Sequence, residues 1–154
     1  MFSDTTKREL ELIRQRYPTA RAALLPALYL AQRDYGWLSP EAYEEVSDLL
    51  GVPKAIARGV GTFYAMYKHK PMGRHIVQLC TNVSCMILGA ERLVDFLKNK
   101  YGLEPGGTTP DNRFSLVIME CIGACGTAPA MLVNDDFYEN LTESSLAGIL
   151  DKYQ

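Results

Sequence analysis

Cysteine stands at only four places in this chain, 80, 85, 121 and 125, forming a C-x4-C pair and a C-x3-C pair with 35 residues between them. Each pair follows an apolar run that reads as a β-strand, His75-Ile76-Val77-Gln78-Leu79 before the first and Phe114–Met119 before the second. Two strand-to-helix or strand-to-loop turns of this kind bring four thiols to one edge of a sheet. Few folds offer that edge, so the cysteines constrain the second half of the chain more than any other feature does.

The first half is of a different kind. Residues 4–16 put Leu10, Ile13 and Tyr17 on one helical stripe, and residues 19–35 alternate small and large apolar side chains from Ala22 through Leu24, Leu28 and Ala31 to Tyr35. Pro26 inside the second stretch predicts either a kink or a later start. Ser39-Pro40-Glu41 opens a third helix with a hydroxyl cap, a proline at the first helical position and an acid at the positive helix end, and Gly51 closes it. Val52-Pro53 leads into a fourth helix, running past Ile56 and Val60 to Phe63 and Tyr64. Short helices with short links describe a small bundle.

Turn residues at Lys70-Pro71-Met72-Gly73 place a boundary here, dividing the chain into a helical bundle at 1–70 and a second domain at 71–154. In the second domain one helix is expected from about Ser84 to Lys100, with Ile87, Ala90, Val94 and Leu97 facing inward and Gly102 ending it. Residues 104–113 read as loop. Strands follow at Phe114–Met119, at Ala130-Met131-Leu132-Val133 and, after the Asn134-Asp135-Asp136 turn, at Phe137-Tyr138. A last helix from about Thr142 to Tyr153 turns Leu146, Ile149 and Leu150 inward. The fold class is therefore α+β: a small N-terminal helical bundle, then a thioredoxin-like domain ordered β, α, β, β, β, α.

Four thiols at one sheet edge are iron–sulfur ligands in number and kind. Arrival in two pairs suits a two-iron core, one pair to each iron, better than a cubane with its usual close run of three cysteines. Cys121-Ile122-Gly123-Ala124-Cys125-Gly126 adds small residues, which let backbone N–H groups approach the sulfurs. Cys85, in the first turn of its helix, faces unpaired N–H groups and the positive dipole end. Other uses of four cysteines remain open at this point. Structural zinc usually takes C-x2-C knuckles, and a redox dithiol takes C-x-x-C. Disulfides belong to oxidising compartments, and unrelated buried thiols are common enough in cores. His69 and His75, the only histidines, read as surface or locally hydrogen-bonded groups. Glu120 is either a negative charge that raises the cost of reducing a neighbouring cluster or a solvated strand end.

A net charge of −2, with no Lys/Arg-rich run, argues against nucleic acid as a partner, and no window has the apolar length of a membrane span. The first residues lack both the apolar core of a signal peptide and the character of an import leader, so the mature chain is expected to begin near Met1 in a bacterial cytoplasm.

Several motifs together resemble the NuoE family, the thioredoxin-like [2Fe–2S] subunits of bacterial NADH:quinone oxidoreductase and their mitochondrial 24 kDa counterpart. They are Leu24-Leu25-Pro26-Ala27-Leu28 with Ala31-Gln32, then Gly36-Trp37-Leu38, then Gly59–Tyr67. In the second half they are Cys80 with Cys85-Met86 and Gly89-Ala90, Thr109-Pro110-Asp111, Glu120–Cys125 into Ala128-Pro129, Val133-Asn134-Asp135 and Leu141-Thr142. Asn112 stands where the family has glycine, a position asparagine tolerates in left-handed backbone, and Ile122 replaces the usual leucine. The resemblance implies one [2Fe–2S] cluster on Cys80, Cys85, Cys121 and Cys125. It also implies a NuoF-like flavoprotein partner that alone carries FMN and NADH, contact through it with other subunits of the peripheral arm of complex I, and a place on the cytoplasmic face of the inner membrane without insertion into it. On this footing the chain is a subunit of NADH dehydrogenase and not catalytic alone, as the missing G-x-G-x-x-G agrees. The same module is expected in NAD-linked hydrogenases and formate dehydrogenases. Thr62–Tyr67, rich in aromatics, reads either as core packing or as a docking face for the flavoprotein.

Overall fold

The computed structural model describes residues 2–154 and divides into two compact units, Met1–Pro71 and Met72–Gln154. The first unit holds four helices: α1 (Asp4–Arg14), α2 (Leu24–Tyr35), α3 (Pro40–Leu50) and α4 (Lys54–Phe63). Helix α2 packs against the other three and supplies the centre of the core with Leu24, Ala27, Leu28 and Ala31, joined by Leu10, Val46, Leu50 and Ala57. Pro26 kinks nothing. A 3-10 turn at Ala20–Ala23 precedes α2, which starts only at Leu24 and places the proline in its first turn, where no backbone N–H has a partner to lose. Tyr17 lies beyond the end of α1 and is exposed, so the α1 stripe stops at Ile13.

Ser39 accepts a hydrogen bond from the Ala42 N–H with Pro40 at the first helical position, and Gly51 ends α3 at φ 64°. The aromatic stretch divides its labour. Tyr67 is buried and donates its hydroxyl to the Leu25 carbonyl oxygen at 2.8 Å, whereas Phe63, Tyr64 and Met66 point to solvent.

The second unit carries a four-stranded sheet in the order β2-β1-β3-β4, with β1 at His75–Cys80, β2 at Phe114–Met119, β3 at Met131–Val133 and β4 at Asp136–Tyr138. β1 and β2 are parallel; β3 runs antiparallel to β1 and β4 antiparallel to β3. Parallel neighbours need a crossover. The segment between them supplies it as α5 (Val83–Ile87) and α6 (Ala90–Tyr101), two helices where the apolar pattern predicts one. Gly89 makes the break: its φ of 99° lies outside helical space. Ile87, expected to face the core, is consequently 72% exposed, while Ala90, Leu93 and Leu97 of α6 are buried.

Asn112 adopts φ 54°, as a residue in a glycine position must. Helix α7 (Glu143–Leu150) starts from a capping box between Thr142 and Ser145 and buries Leu146 and Leu150. The core of this unit lies among Val77, Leu79, Leu93, Leu97, Phe114, Leu116, Met131, Leu146 and Leu150. No described helix is long and apolar enough to cross a membrane.

Candidate metal centre

Parallel pairing is what brings the two cysteine pairs to the same end of the sheet. Cys80 is the last residue of β1 and stands level with Met119, the last residue of β2, so Cys121 comes two residues beyond the same edge. Backbone hydrogen bonds hold Cys80 from both sides: its N–H donates to the Ala130 carbonyl oxygen at 3.1 Å, and the Thr81 N–H donates to Met119 at 3.2 Å. The Cys80 thiol donates to the Glu120 carbonyl oxygen at 3.9 Å, a long contact suited to sulfur.

Asn82 then starts α5, its side-chain oxygen accepting the Val83 N–H at 2.6 Å. Cys85 faces inward from that helix. It is buried with Cys80, Ala90 and Ala128, against the half-buried Ile122. Burial pushes the Cys85 thiol up, the hydrogen bond with Cys80 adds to the rise, and a backbone hydrogen bond from Ala130 opposes it; the charges of Cys80 and Cys125 raise it further. Cys85 thus lies close enough to feel both Cys80 and Cys125. α5 spans only five residues, so the positive end of a long helix is not what favours anionic sulfur here.

The second pair sits on an exposed loop. Gly123, at φ 83°, turns the backbone so that its own N–H donates to Cys121 Sγ at 3.4 Å. Cys125 opens a 3-10 turn, Cys125–Thr127, that packs against α5. That turn is fastened from behind by the Asn140 N–H to the Thr127 carbonyl oxygen at 2.7 Å, and by the Thr127 hydroxyl to Glu139 at 2.6 Å.

All four cysteines are free thiols. Among the described residues no three His, Cys, Asp or Glu side chains converge tightly enough to hold a metal ion. A single ion draws all its ligands to one point, whereas a two-iron core asks only that two pairs face each other. An all-thiol donor set lined by small residues suits iron–sulfur chemistry. Neither histidine competes: His69 Nδ1 meets the Tyr43 hydroxyl at 3.3 Å, and His75 bonds Asn134 and the Gln154 carbonyl. Glu120 is exposed.

Two residues that hold this edge are missing from the sequence reading. Ala130 contacts both Cys80 and Cys85 through its backbone, and its only signal is its place after Ala128-Pro129. Asn82 does carry a signal, a capping residue immediately before a helix.

The family model for the thioredoxin-like [2Fe–2S] ferredoxin matches residues 10–154. An E-type subunit of the NADH-quinone oxidoreductase of Rhizobium meliloti is 41% identical over 150 residues, covering 97% of this chain and 89% of the relative. NADH-quinone oxidoreductase subunit 2 of Thermus thermophilus is 40% identical over 152 residues, covering 97% and 84%. Among solved structures, the NAD+-reducing [NiFe]-hydrogenase in its H2-reduced state superposes with a TM-score of 0.75 at 25% identity, over 90% of this chain but only 23% of its own. The fold class and the resemblance read from the motifs are borne out, and the chain belongs to the thioredoxin-like [2Fe–2S] ferredoxin family.

Proposed function

We propose that this chain is the electron-transfer subunit of an NADH:quinone oxidoreductase, holding one [2Fe–2S] cluster on Cys80, Cys85, Cys121 and Cys125 and exchanging electrons with FMN on a NADH-binding, NuoF-like flavoprotein. When bound, such a cluster supplies one-electron chemistry with no proton to move. The observation that carries the reading is the parallel β1–β2 pairing, which sets a C-x4-C and a C-x3-C pair at one sheet edge in a chain about 40% identical to subunits of that enzyme over nearly all its length.

The residues divide the work. Cys80 and Cys85 anchor one side from within the fold, fixed through Ala130. Cys121 and Cys125 close the other side from the loop, where the Gly123 N–H offers a hydrogen bond to sulfur that eases added negative charge. With FMN and NADH on the partner, the chain alone oxidises nothing. It works at the cytoplasmic face of the membrane through the other subunits of the peripheral arm.

The likeness to the NAD+-reducing hydrogenase favours a second reading, the same module serving an NAD-linked hydrogenase. Anaerobic co-purification distinguishes the two by the partners found and tests both by iron and acid-labile sulfide, expected at about two of each per chain for a two-iron centre. Cys121→Ser is expected to lose most of that iron and the electron paramagnetic resonance signal while α1–α4 stay folded. Stoichiometric zinc in colourless wild-type protein, or an unchanged signal in the variant, refutes the ligand assignment.

A further inference from the structure

The exposed cysteine pair depends on one short stretch of chain. Between Cys121 and Pro129 the hydrogen bonds that reach outside the loop, among the described residues, all end on Glu139, Asn140 and Leu141. Asn140 donates its N–H to the Thr127 carbonyl oxygen at 2.7 Å, Leu141 donates its N–H to the Pro129 carbonyl oxygen at 3.0 Å, and Glu139 Oε2 accepts the Thr127 hydroxyl at 2.6 Å. The stretch is itself well anchored. It joins β4 to the cap of α7, and the Leu141 side chain is buried in the core of the second unit. Asn140 stands at φ 52°, a left-handed conformation that a residue other than glycine keeps only where its surroundings hold it.

Two of the three bonds meet at Thr127. That residue closes the 3-10 turn that Cys125 opens, with its N–H bonded to the Ala124 carbonyl oxygen at 3.1 Å. So tight a turn moves as a unit, and fixing Thr127 fixes where Cys125 lies. Cys80 and Cys85 need no such help, because the sheet and Ala130 hold them. Of the three bonds, only the one from hydroxyl to carboxylate depends on side chains, and its length is that of a charge-assisted O–H···O bond.

We propose that Glu139 is a positioning residue of the metal centre, acting through the Thr127 hydroxyl to hold Cys125 in register with the buried pair, an inference that rests on the function proposed above. Glu139 acts by the bond it accepts rather than by its charge. A ligand on a loosened turn samples a spread of positions and releases iron sooner.

The test uses the full chain carrying its cluster and reads three things: the rate of iron loss to a chelator, the electron paramagnetic resonance line width after reduction, and the far-ultraviolet circular dichroism. Thr127→Val keeps the shape of the side chain and removes the donor; Glu139→Ala removes the acceptor. Both are expected to lose iron at least fivefold faster and to broaden the resonance, with the circular dichroism unchanged. Thr127→Ser keeps the hydroxyl and Glu139→Gln keeps an acceptor oxygen without the charge, so both are expected within twofold of the wild-type rate. A wild-type rate and line width in Thr127→Val overturn the proposal. So does Glu139→Gln behaving as Glu139→Ala, because charge then acts and not the bond, and so does Thr127→Ser behaving as Thr127→Val, because the methyl group then acts and not the hydroxyl. Absence of iron from the wild-type chain is a separate result that overturns the electron-transfer reading. The strap is then judged by amide hydrogen exchange in the iron-free chain, where the Asn140 and Leu141 N–H groups are expected to exchange at least fivefold faster in Thr127→Val; unchanged exchange overturns it.

Discussion

Replacing Gly89 with alanine tests the hinge on which the metal centre is built. Gly89 sits between α5 and α6 at φ 99° and ψ 26°. A Cβ added there meets the Arg92 guanidinium at 2.7 Å, but that group is the far end of an exposed, flexible side chain and swings aside at little cost. The backbone conformation costs more. A side chain at this φ is unfavourable by about 1–3 kcal/mol, more than the ~0.4–1 kcal/mol that alanine gains by restricting the unfolded chain. In a domain of the size class of Met72–Gln154, each kcal/mol moves Tm by about 4–8 °C. The mid-range difference of about 1.3 kcal/mol means that circular dichroism melts of Gly89→Ala should show a loss of about 5–10 °C. Gly148→Ala is the matched control: it lies inside α7 with no atom within 4 Å of an added Cβ and no positive φ, so the same chemical change should stabilise by about 0.5–1 kcal/mol. A Gly89→Ala protein that melts at or above the wild-type temperature refutes the argument, because it would mean that the two helices join without strain.

A second glycine pair separates space from propensity within α4. Gly61→Ala drives a methyl into the buried Tyr43 ring and should destabilise by about 1–3 kcal/mol despite the gain in helix propensity, whereas Gly59→Ala, with nothing within 4 Å, should stabilise by about 0.5–1 kcal/mol; denaturant midpoints for the two variants should shift in opposite directions. The phenols of Tyr35 and Tyr67 are both pushed up to about 12, chiefly by burial and, for Tyr35, also by its hydrogen bond to Glu45. Raised folded values stabilise the neutral form, so that contribution is complete below the ordinary tyrosine value of about 10 and disappears as pH rises through about 12. Ultraviolet titration of wild type against Tyr35→Phe and Tyr67→Phe should assign each of these phenols to the late phase that accompanies loss of helical signal; a variant that removes absorbance only from the earlier phase, while the chain is still folded, counts against it.

What is legible in the sequence is whatever a side chain announces locally. Ser39-Pro40 and Thr142 begin helices where expected, because each oxygen caps an N–H within three residues of itself. The strands at 75, 114 and 131 are legible as dense apolar runs. Gly89 is not, because one glycine inside an apolar repeat reads equally as a tolerated cost within a helix or as a break, and only tertiary packing decides. The same blindness hides the exposure of Ile87, whose position continues the buried stripe of a helix that does not exist. Ala130 escapes for a different reason: it acts through backbone atoms, which every residue possesses.

Burial separates the two cysteine pairs, and that asymmetry answers a conflict in the proposed function. A cluster must be shielded from water to persist, yet it must lie near a surface to exchange electrons with another protein. Cys80 and Cys85 meet the first demand, at 4% and 3% exposure, with their backbones tied into a sheet whose core includes Val77, Leu79 and Met131. Cys121 and Cys125 meet the second, on a loop turned by Gly123 and pinned from behind at Thr127. Had β1 and β2 been antiparallel, the pairs would lie at opposite ends of the sheet and neither demand could be met at one site. The crossover between parallel strands is therefore the step from which the rest follows: it makes α5 necessary and puts Cys85 on its inner side.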